Sequence, residues 1–467
     1  MNTIVPTGTA DPGRPVPTVD RRFRGLAVLA FLARPAPAAT LLFGALLLLA
    51  SNVNGVLGPR AVAFKHFYAH GFMLFVVVAG CCRLYVAPPA VRQVAARAAL
   101  RALPWFLLFC ALIGVHGLVS NGVDYQRMAT DYWDADPFNA TSRRIGLPAL
   151  AHVLGLEGRA YTVLWYAVLF PTFTAAMRLL DARQLSSLEA LSVLSSSILA
   201  YALVGPGYGD ILVLLLGLLA VQCRLGPVDR IAVATLMIAT HETMTPFVAA
   251  GIVLAADRDD RREWIAVFGL LYLAFTASYA LTWHRDLAGA VIRADRPSPG
   301  AEHSVVDLVR LHPGLATLGA VMAYKLYWLP VVMALRRRGA WPMAVAALAS
   351  LPLILLGSDT SRLVQFSSLA LFLAVSTELG TWPTPARRAL AIANLVVPSL
   401  YVAVNAGLLW GPGLYSVYLR GAEAAGLQLG RVFWQCNLGR RRARLFPPVA
   451  PCRREPHTRS RKSSEEP

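Results

Sequence analysis

The sequence predicts an all-α polytopic transmembrane helix bundle, with about 11–13 spans and a large outer loop between the third and fourth. Three observations carry that prediction. Apolar residues make up 56% of the 467 while charged residues make up 15%, a balance unlike that of soluble domains. The apolar residues gather in runs close to the roughly twenty residues that a helix needs to cross hydrocarbon, where lipid offers no partner to a free backbone group. The arginines fall in short clusters between those runs, as topology signals do. For that reason the formal charge of +18 does not point to a nucleic-acid partner.

In order along the chain, residues 1–20 are rich in Pro, Gly and Thr and predict a disordered segment. Arg21, Arg22 and Arg24 then precede an apolar run with no small-residue cleavage site, as in a retained signal anchor. The transmembrane domain is expected over 21–412. Candidate spans lie near 35–52, 67–87, 102–120, 159–178, 187–204, 208–223, 229–241, 244–256, 263–283, 315–335, 340–357, 363–379 and 389–410. Several between 208 and 256 are short, so one of them is a candidate half-span. With the amino terminus inside, the inner loops carry Arg92, Arg97 and Arg101, then Arg178 and Arg183, then Arg224 and Arg230, then Arg258, Arg261 and Arg262, then Arg336 to Arg338, then Arg387 and Arg388. The segment 413–467 reads as an amphipathic stretch followed by a basic, largely disordered tail, and thirteen spans would leave it outside, against the charge rule. Four of the six cysteines, Cys81, Cys82, Cys110 and Cys223, fall in or beside apolar spans. No metal-ligand spacing occurs, so they read as small apolar fillers.

This topology gathers the ionisable groups near the membrane on one face. The outer loop 121–158 holds Asp124, Asp131, Asp134 and Asp136, then Arg143 and Arg144. Asp210 opens the sixth span after Gly207-Tyr208-Gly209, His241-Glu242 forms a turn, and Asp359 with Arg362 forms another. Ionisable groups at span ends are costly in lipid and are candidates for function. Asp124, four residues past the third span, is the candidate general base, with Asp134 and Asp136 in reserve. Solvated acids that merely keep the loop out of the bilayer are the plainer alternative, and the same acids with Asp131 could hold a divalent cation. Arg143 and Arg144 have the fork geometry to grip a phosphate, or to meet lipid headgroups. Asp359 and Arg362 are spaced for one helix face, as either a site or an ion pair. Asp210 could orient a substrate or cap its helix. His241-Glu242 starts like HExxH, but Thr245 ends the pattern, so no metal ligand set is assigned. Walker A, GxSxG and GxGxxG sequences are absent, which leaves nucleotide-driven chemistry without support.

Asp124, Met128-Ala129, Asp136-Pro137-Phe138 and Arg144-Ile145-Gly146-Leu147-Pro148-Ala149-Leu150-Ala151 follow one another in an order that resembles the first outer loop of bacterial GT-C-type polytopic glycosyltransferases. Gly207 to Asp210 and the Asp359-x-x-Arg362 turn are similar to features of the same group. The sequence departs from it in placing the loop after the third span and in having Tyr125 where Gly often follows the Asp. The resemblance implies Asp124 as catalytic base, a sugar donor carried on polyprenyl phosphate or diphosphate, and Arg143, Arg144 and Arg362 as lipid-phosphate ligands. The expected function is therefore a transferase of the cytoplasmic membrane that passes a sugar to an outer-face glycan, lipid or protein, with no cofactor assigned beyond a candidate divalent cation. The rival expectation is a transporter or flippase of a lipid-linked or anionic solute, with Asp210, Glu242, Lys325 and Arg362 lining its path. A non-catalytic envelope-assembly protein is the third.

Overall fold

The computed structural model describes residues 35–52, 59–115, 118, 120–130, 144–283, 309–310, 313–355, 359–403 and 408–410. Over these residues the chain is helical, apart from a two-stranded antiparallel ladder near its end. The expectations for residues 1–20 and 413–467 fall outside the described residues.

The first helices are α1 (Pro35–Asn52), α2 (Pro59–Val86) and α3 (Pro89–Ile113). Pro89 opens α3 at a position where a missing N–H costs no hydrogen bond. The expected outer loop is helical at both ends, with α4 (Ser120–Thr130) and α5 (Gly146–Val153), while 131–143 lies outside the described residues. α6 (Arg159–Ala182) follows, a rod of 24 residues and thus about 36 Å at 1.5 Å per residue. The single span expected over 187–204 is instead two helices, α7 (Ser187–Leu194) and α8 (Ile198–Val204), bent by 63°. Ser195, Ser196 and Ser197 are the cause. The Ser195 and Ser197 hydroxyls donate to the carbonyls of Ser192 and Leu194 at 2.7 Å, and Ser197 caps α8 by accepting from the Leu199 N–H. Such local bonds compete with the helical ladder.

The helices α9 (Asp210–Gln222), α10 (Pro227–Thr240) and α11 (Thr245–Ala255) come next. Their 11 to 14 residues reach only about 17–21 Å, short of a bilayer core of about 30 Å. After α12 (Arg258–Trp283) the chain continues as α13 (Pro313–Tyr324), a 3-10 turn, α14 (Trp328–Ala334) and α15 (Trp341–Leu348). Then follow a second 3-10 turn (Leu351–Leu355), α16 (Thr360–Val364), a third 3-10 turn and α17 (Ser368–Leu379), and α18 (Thr384–Val396) ends the helical part.

Among the described residues four helical rods are long and apolar enough to cross a membrane: Pro89–Ile113, Arg159–Ala182, Pro313–Ala334 and Thr360–Leu379. The bent α7–α8 pair raises this to five. Elsewhere shorter apolar helices such as Asp210–Gln222 and Thr245–Ala255 stand where full spans were expected. The last expected span, 389–410, is corrected outright. α18 stops at Val396 because Pro398 pushes the residue before it towards extended backbone, and Val397 has ψ 120°. The chain then forms β1 (Tyr401–Ala403), paired with β2 (Leu408–Trp410) in the register Tyr401 to Trp410.

The core is centred on α17. The apolar window over Thr360–Leu379 is 89% buried, and α17 packs against α9, α11, α14 and α15. A helix buried on all sides needs no amphipathic stripe, which is why 363–379 reads as uniformly apolar with small serines between. The ends of α6, α9, α10 and α16 meet at one side of this core.

Candidate functional site

Arg362, near the start of α16, is the centre of the site. It forks onto Asp210 with Nε to Oδ2 at 2.7 Å and Nη2 to Oδ1 at 3.1 Å, and reaches Asp359 through Nη1 at 3.2 Å. Its guanidinium carbon lies 3.7 Å from the centre of the Tyr208 ring, with Tyr201 at 5.4 Å and Phe366 at 5.5 Å. The carboxylates supply charge and the rings a flat polarisable wall, so a buried cation is matched on each side. Asp210 opens α9, but the N-cap is Gly209. Its carboxylate therefore serves Arg362 and not the helix end.

His241 ends α10. Its Nδ1 accepts the Met244 N–H at 3.2 Å, so Nε2 carries the proton and faces Asp210 Oδ1 at 3.2 Å, with Arg362 Nη2 at 3.3 Å from the same nitrogen. This assigns a neutral imidazole, with the tautomer read from the network. Beside it Glu242 takes a second bidentate guanidinium: Arg144 Nε meets Oε2 at 2.9 Å and Nη2 meets Oε1 at 3.2 Å. Tyr272 donates its hydroxyl to the Glu242 carbonyl. The Tyr125 hydroxyl, from α4, lies beside Arg144. Burial is graded across the group: Asp210 and His241 are 2% and 1% exposed, whereas the Arg144 and Glu242 side chains are each 12% exposed and Asp359 20%. The site has a sealed floor and an accessible rim.

Close backbone approach makes the convergence feasible. Gly207 has φ +108°, and a Cβ there would lie 2.4 Å from the Gly122 Cα where α4 crosses the loop. A Cβ at Gly146, the first residue of α5, would meet Thr240 Oγ1 at 2.1 Å. At the start of α6, Tyr161 and Trp165 donate to the carbonyls of Gly207 and Tyr208 at 2.8 and 3.0 Å and fix that loop.

Of the residues singled out in the sequence, Arg144, Asp210, His241, Glu242, Asp359 and Arg362 are brought together. Asp124 is not among the ion pairs of this group. It lies one position before Tyr125, half-buried, with its carboxylate 4.0 Å from Arg127. Burial raises its pKa above the usual carboxylate value, against the opposing pull of Arg127. Asp131, Asp134, Asp136 and Arg143 lie outside the described residues. Among the described residues no three His, Cys, Asp or Glu side chains converge as metal ligands. Sequence reasoning missed Tyr125, Tyr201 and Tyr272. Tyr208 stands in the Gly207-to-Asp210 motif, whereas Tyr201 and Tyr272 are single rings within apolar runs, which give no signal of what they face.

A second polar group sits at the α7–α8 break. Lys325, at φ +50°, donates to Ser195 Oγ, the Val397 carbonyl and Ser399 Oγ at 3.0 to 3.2 Å. Asn394 bonds Ser192, Ser196 and the Leu326 N–H nearby. Comparison with protein-family models, with curated proteins and with solved structures finds no match to this chain.

Proposed function

We propose that this chain is a multi-spanning enzyme of the cytoplasmic membrane that transfers a sugar from a polyprenyl-phosphate-linked donor to an acceptor on the extracytoplasmic face. One observation carries the reading: two bidentate guanidinium–carboxylate pairs, a neutral histidine and four tyrosines, drawn from separate elements, form one group with a buried floor and a partly exposed rim. A purely structural ion pair needs no accessible edge. Arg144 at that edge can exchange Glu242 for a donor phosphate, because fork geometry suits both anions. Arg362, fully engaged with Asp210 and Asp359, keeps the floor rigid.

In the transfer the acceptor hydroxyl oxygen bonds to the anomeric carbon while the bond from that carbon to the phosphate oxygen breaks. Polyprenyl phosphate leaves with the electron pair, so no nucleotide is consumed. The hydroxyl proton goes to a carboxylate, assigned here to Asp124, which burial makes a stronger base than an ordinary carboxylate. Asp134 and Asp136 are the alternative acceptors of that proton, and the acceptor is a glycan, lipid or protein.

A transporter of a lipid-linked or anionic solute is the second reading. The observation in its favour is the broken α7–α8 pair facing Lys325, since unwound helix at bilayer depth lines ligand paths in transporters. Incubating the purified full-length protein in liposomes with radiolabelled polyprenyl-phosphate sugars decides between them. Transfer by the wild type, lost about 100-fold or more in Asp124→Asn with donor KM raised in Arg144→Gln, is the expected result. No transfer with any donor, together with solute uptake that depends on Arg144, overturns it.

A further inference from the structure

At the opposite end of α6 from Arg362, α3 and α6 pack antiparallel and leave a cleft of about 450 Å³, closed off by the start of α7. Arg97, Arg101 and Trp105 line it from α3, at four-residue intervals on one stripe, and Met177 and Arg178 line it from α6. Among the described residues none of the three arginines has an ion-pair or hydrogen-bond partner, even though Asp181 is also in the lining. Three guanidiniums face one carboxylate, so the cleft carries net positive charge.

The apolar part of the surroundings indicates what kind of anion fits. From the arginines, the same stripe of α3 continues at helical spacing with Leu108, which is 41% exposed, and Leu112, which is half-buried. The rise of eleven residues from Arg97 to Leu108 covers about 16 Å, the depth of one leaflet. Trp105 stands part-way along, in the place an interfacial ring takes. A soluble phosphate would use the arginines and leave this track bare. The cleft is also separate from the Arg362 group: Trp165 holds the Tyr208 carbonyl, and Arg178 lies thirteen residues further along the rod, about 20 Å away.

We propose that this cleft binds an anionic lipid, its phosphate headgroup held by Arg97, Arg101 and Arg178 and one chain laid along Trp105, Leu108 and Leu112. Planar guanidiniums on two helices match phosphate oxygens, and basic pockets between spanning helices on the cytoplasmic side suit such headgroups. This inference does not depend on the transferase reading, since it uses none of that site's residues.

The test is native mass spectrometry of the full-length protein in neutral detergent, titrated with phosphatidylglycerol, cardiolipin or phosphatidylcholine, with inorganic phosphate as competitor. The wild type is expected to retain the anionic lipids over phosphatidylcholine. The triple variant Arg97→Gln/Arg101→Gln/Arg178→Gln should bind them at least tenfold more weakly. A control with equal charge removed elsewhere, Arg92→Gln/Arg224→Gln/Arg388→Gln, should stay within twofold of wild type. Three results overturn the proposal: no preference over phosphatidylcholine in the wild type, an equal loss in the control, which marks diffuse attraction, or full displacement by inorganic phosphate, which marks a soluble ligand. If the triple variant does not fold, Arg178→Gln alone is read in the same way, with a loss of about threefold expected and an unchanged affinity overturning the proposal.

Discussion

Arg362 and Asp210 stand 152 positions apart in sequence and are each almost sealed from solvent, at 5% and 2% exposure. Removing one partner strands a buried charge, whose desolvation is then uncompensated; losses of about 3–5 kcal/mol are usual for such a break. Arg362→Ala and Asp210→Ala are each expected to lower the unfolding midpoint in detergent by that amount of stability. The double variant should cost less than the two singles together, because it leaves neither charge alone. Additive losses would show that the pair is not coupled. Asp124 gives a prediction of the opposite kind. Its pKa is raised by burial, and a base works only when deprotonated, so the acid limb of kcat/KM should lie above the ordinary carboxylate range and vanish in Asp124→Asn. A limb unchanged by that substitution assigns the base elsewhere. These charged residues were legible in the sequence because an ionisable group between apolar runs is expensive to place. Tyr201, whose ring centre lies 5.4 Å from the Arg362 guanidinium carbon, was not, because a ring amid apolar residues looks the same whether it faces lipid or a cation.

Elements meet at the site through missing side chains. Gly209, the N-cap of α9, has an ordinary φ of −72°, yet a Cβ there would come within 2.6 Å of Thr240 Cγ2 at the end of α10. Backbone freedom is not at issue, only room. Gly209→Ala is therefore expected to destabilise by about 1–3 kcal/mol, the usual cost of overpacking, and to disturb the Asp210–Arg362 pair beside it. Thr240→Ser removes the offending methyl, and the next atom is then 3.2 Å away, so Gly209→Ala/Thr240→Ser should regain most of the loss in thermal stability and in activity. No recovery would mean that the glycine serves another purpose. Helix type was legible from apolar run length, but where helices break was not. The Ser195-Ser196-Ser197 run and Pro398 are polar or conformational signals inside apolar text. A count of apolar residues passes over both, so that 187–204 and 389–410 each read as one span.

The whole molecule has two ends, and α6 measures the distance between them. At its start Gly158 accepts from Gln126 of α4, one residue from Arg127. Just past its end Gln184 accepts from Arg387 of α18. The rod between them, about 36 Å at 1.5 Å per residue, exceeds the roughly 30 Å of hydrocarbon in a bilayer. The Arg362 group belongs to the first end, since Tyr161 and Trp165 hold its loop. The second end collects basic residues, several of them paired: Arg387 with Glu189, Arg337 with Glu378 and Arg230 with Asp260. α18 leaves that end, and β1 reaches the other, where the Val402 N–H bonds Ser361. The chain thus passes from one end of the molecule to the other as half helix and half extended backbone, with Lys325 meeting the Val397 carbonyl on the way. Basic residues favour the cytoplasmic side, so labelling of single cysteines placed on a background without Cys81, Cys82, Cys110, Cys223, Cys436 and Cys452 should separate the two ends. In intact cells an impermeant maleimide is expected to modify Arg127→Cys and to leave Arg388→Cys untouched until the membrane is opened. Equal labelling of both would put the two ends on one side, and α6 would then lie along the membrane instead of across it.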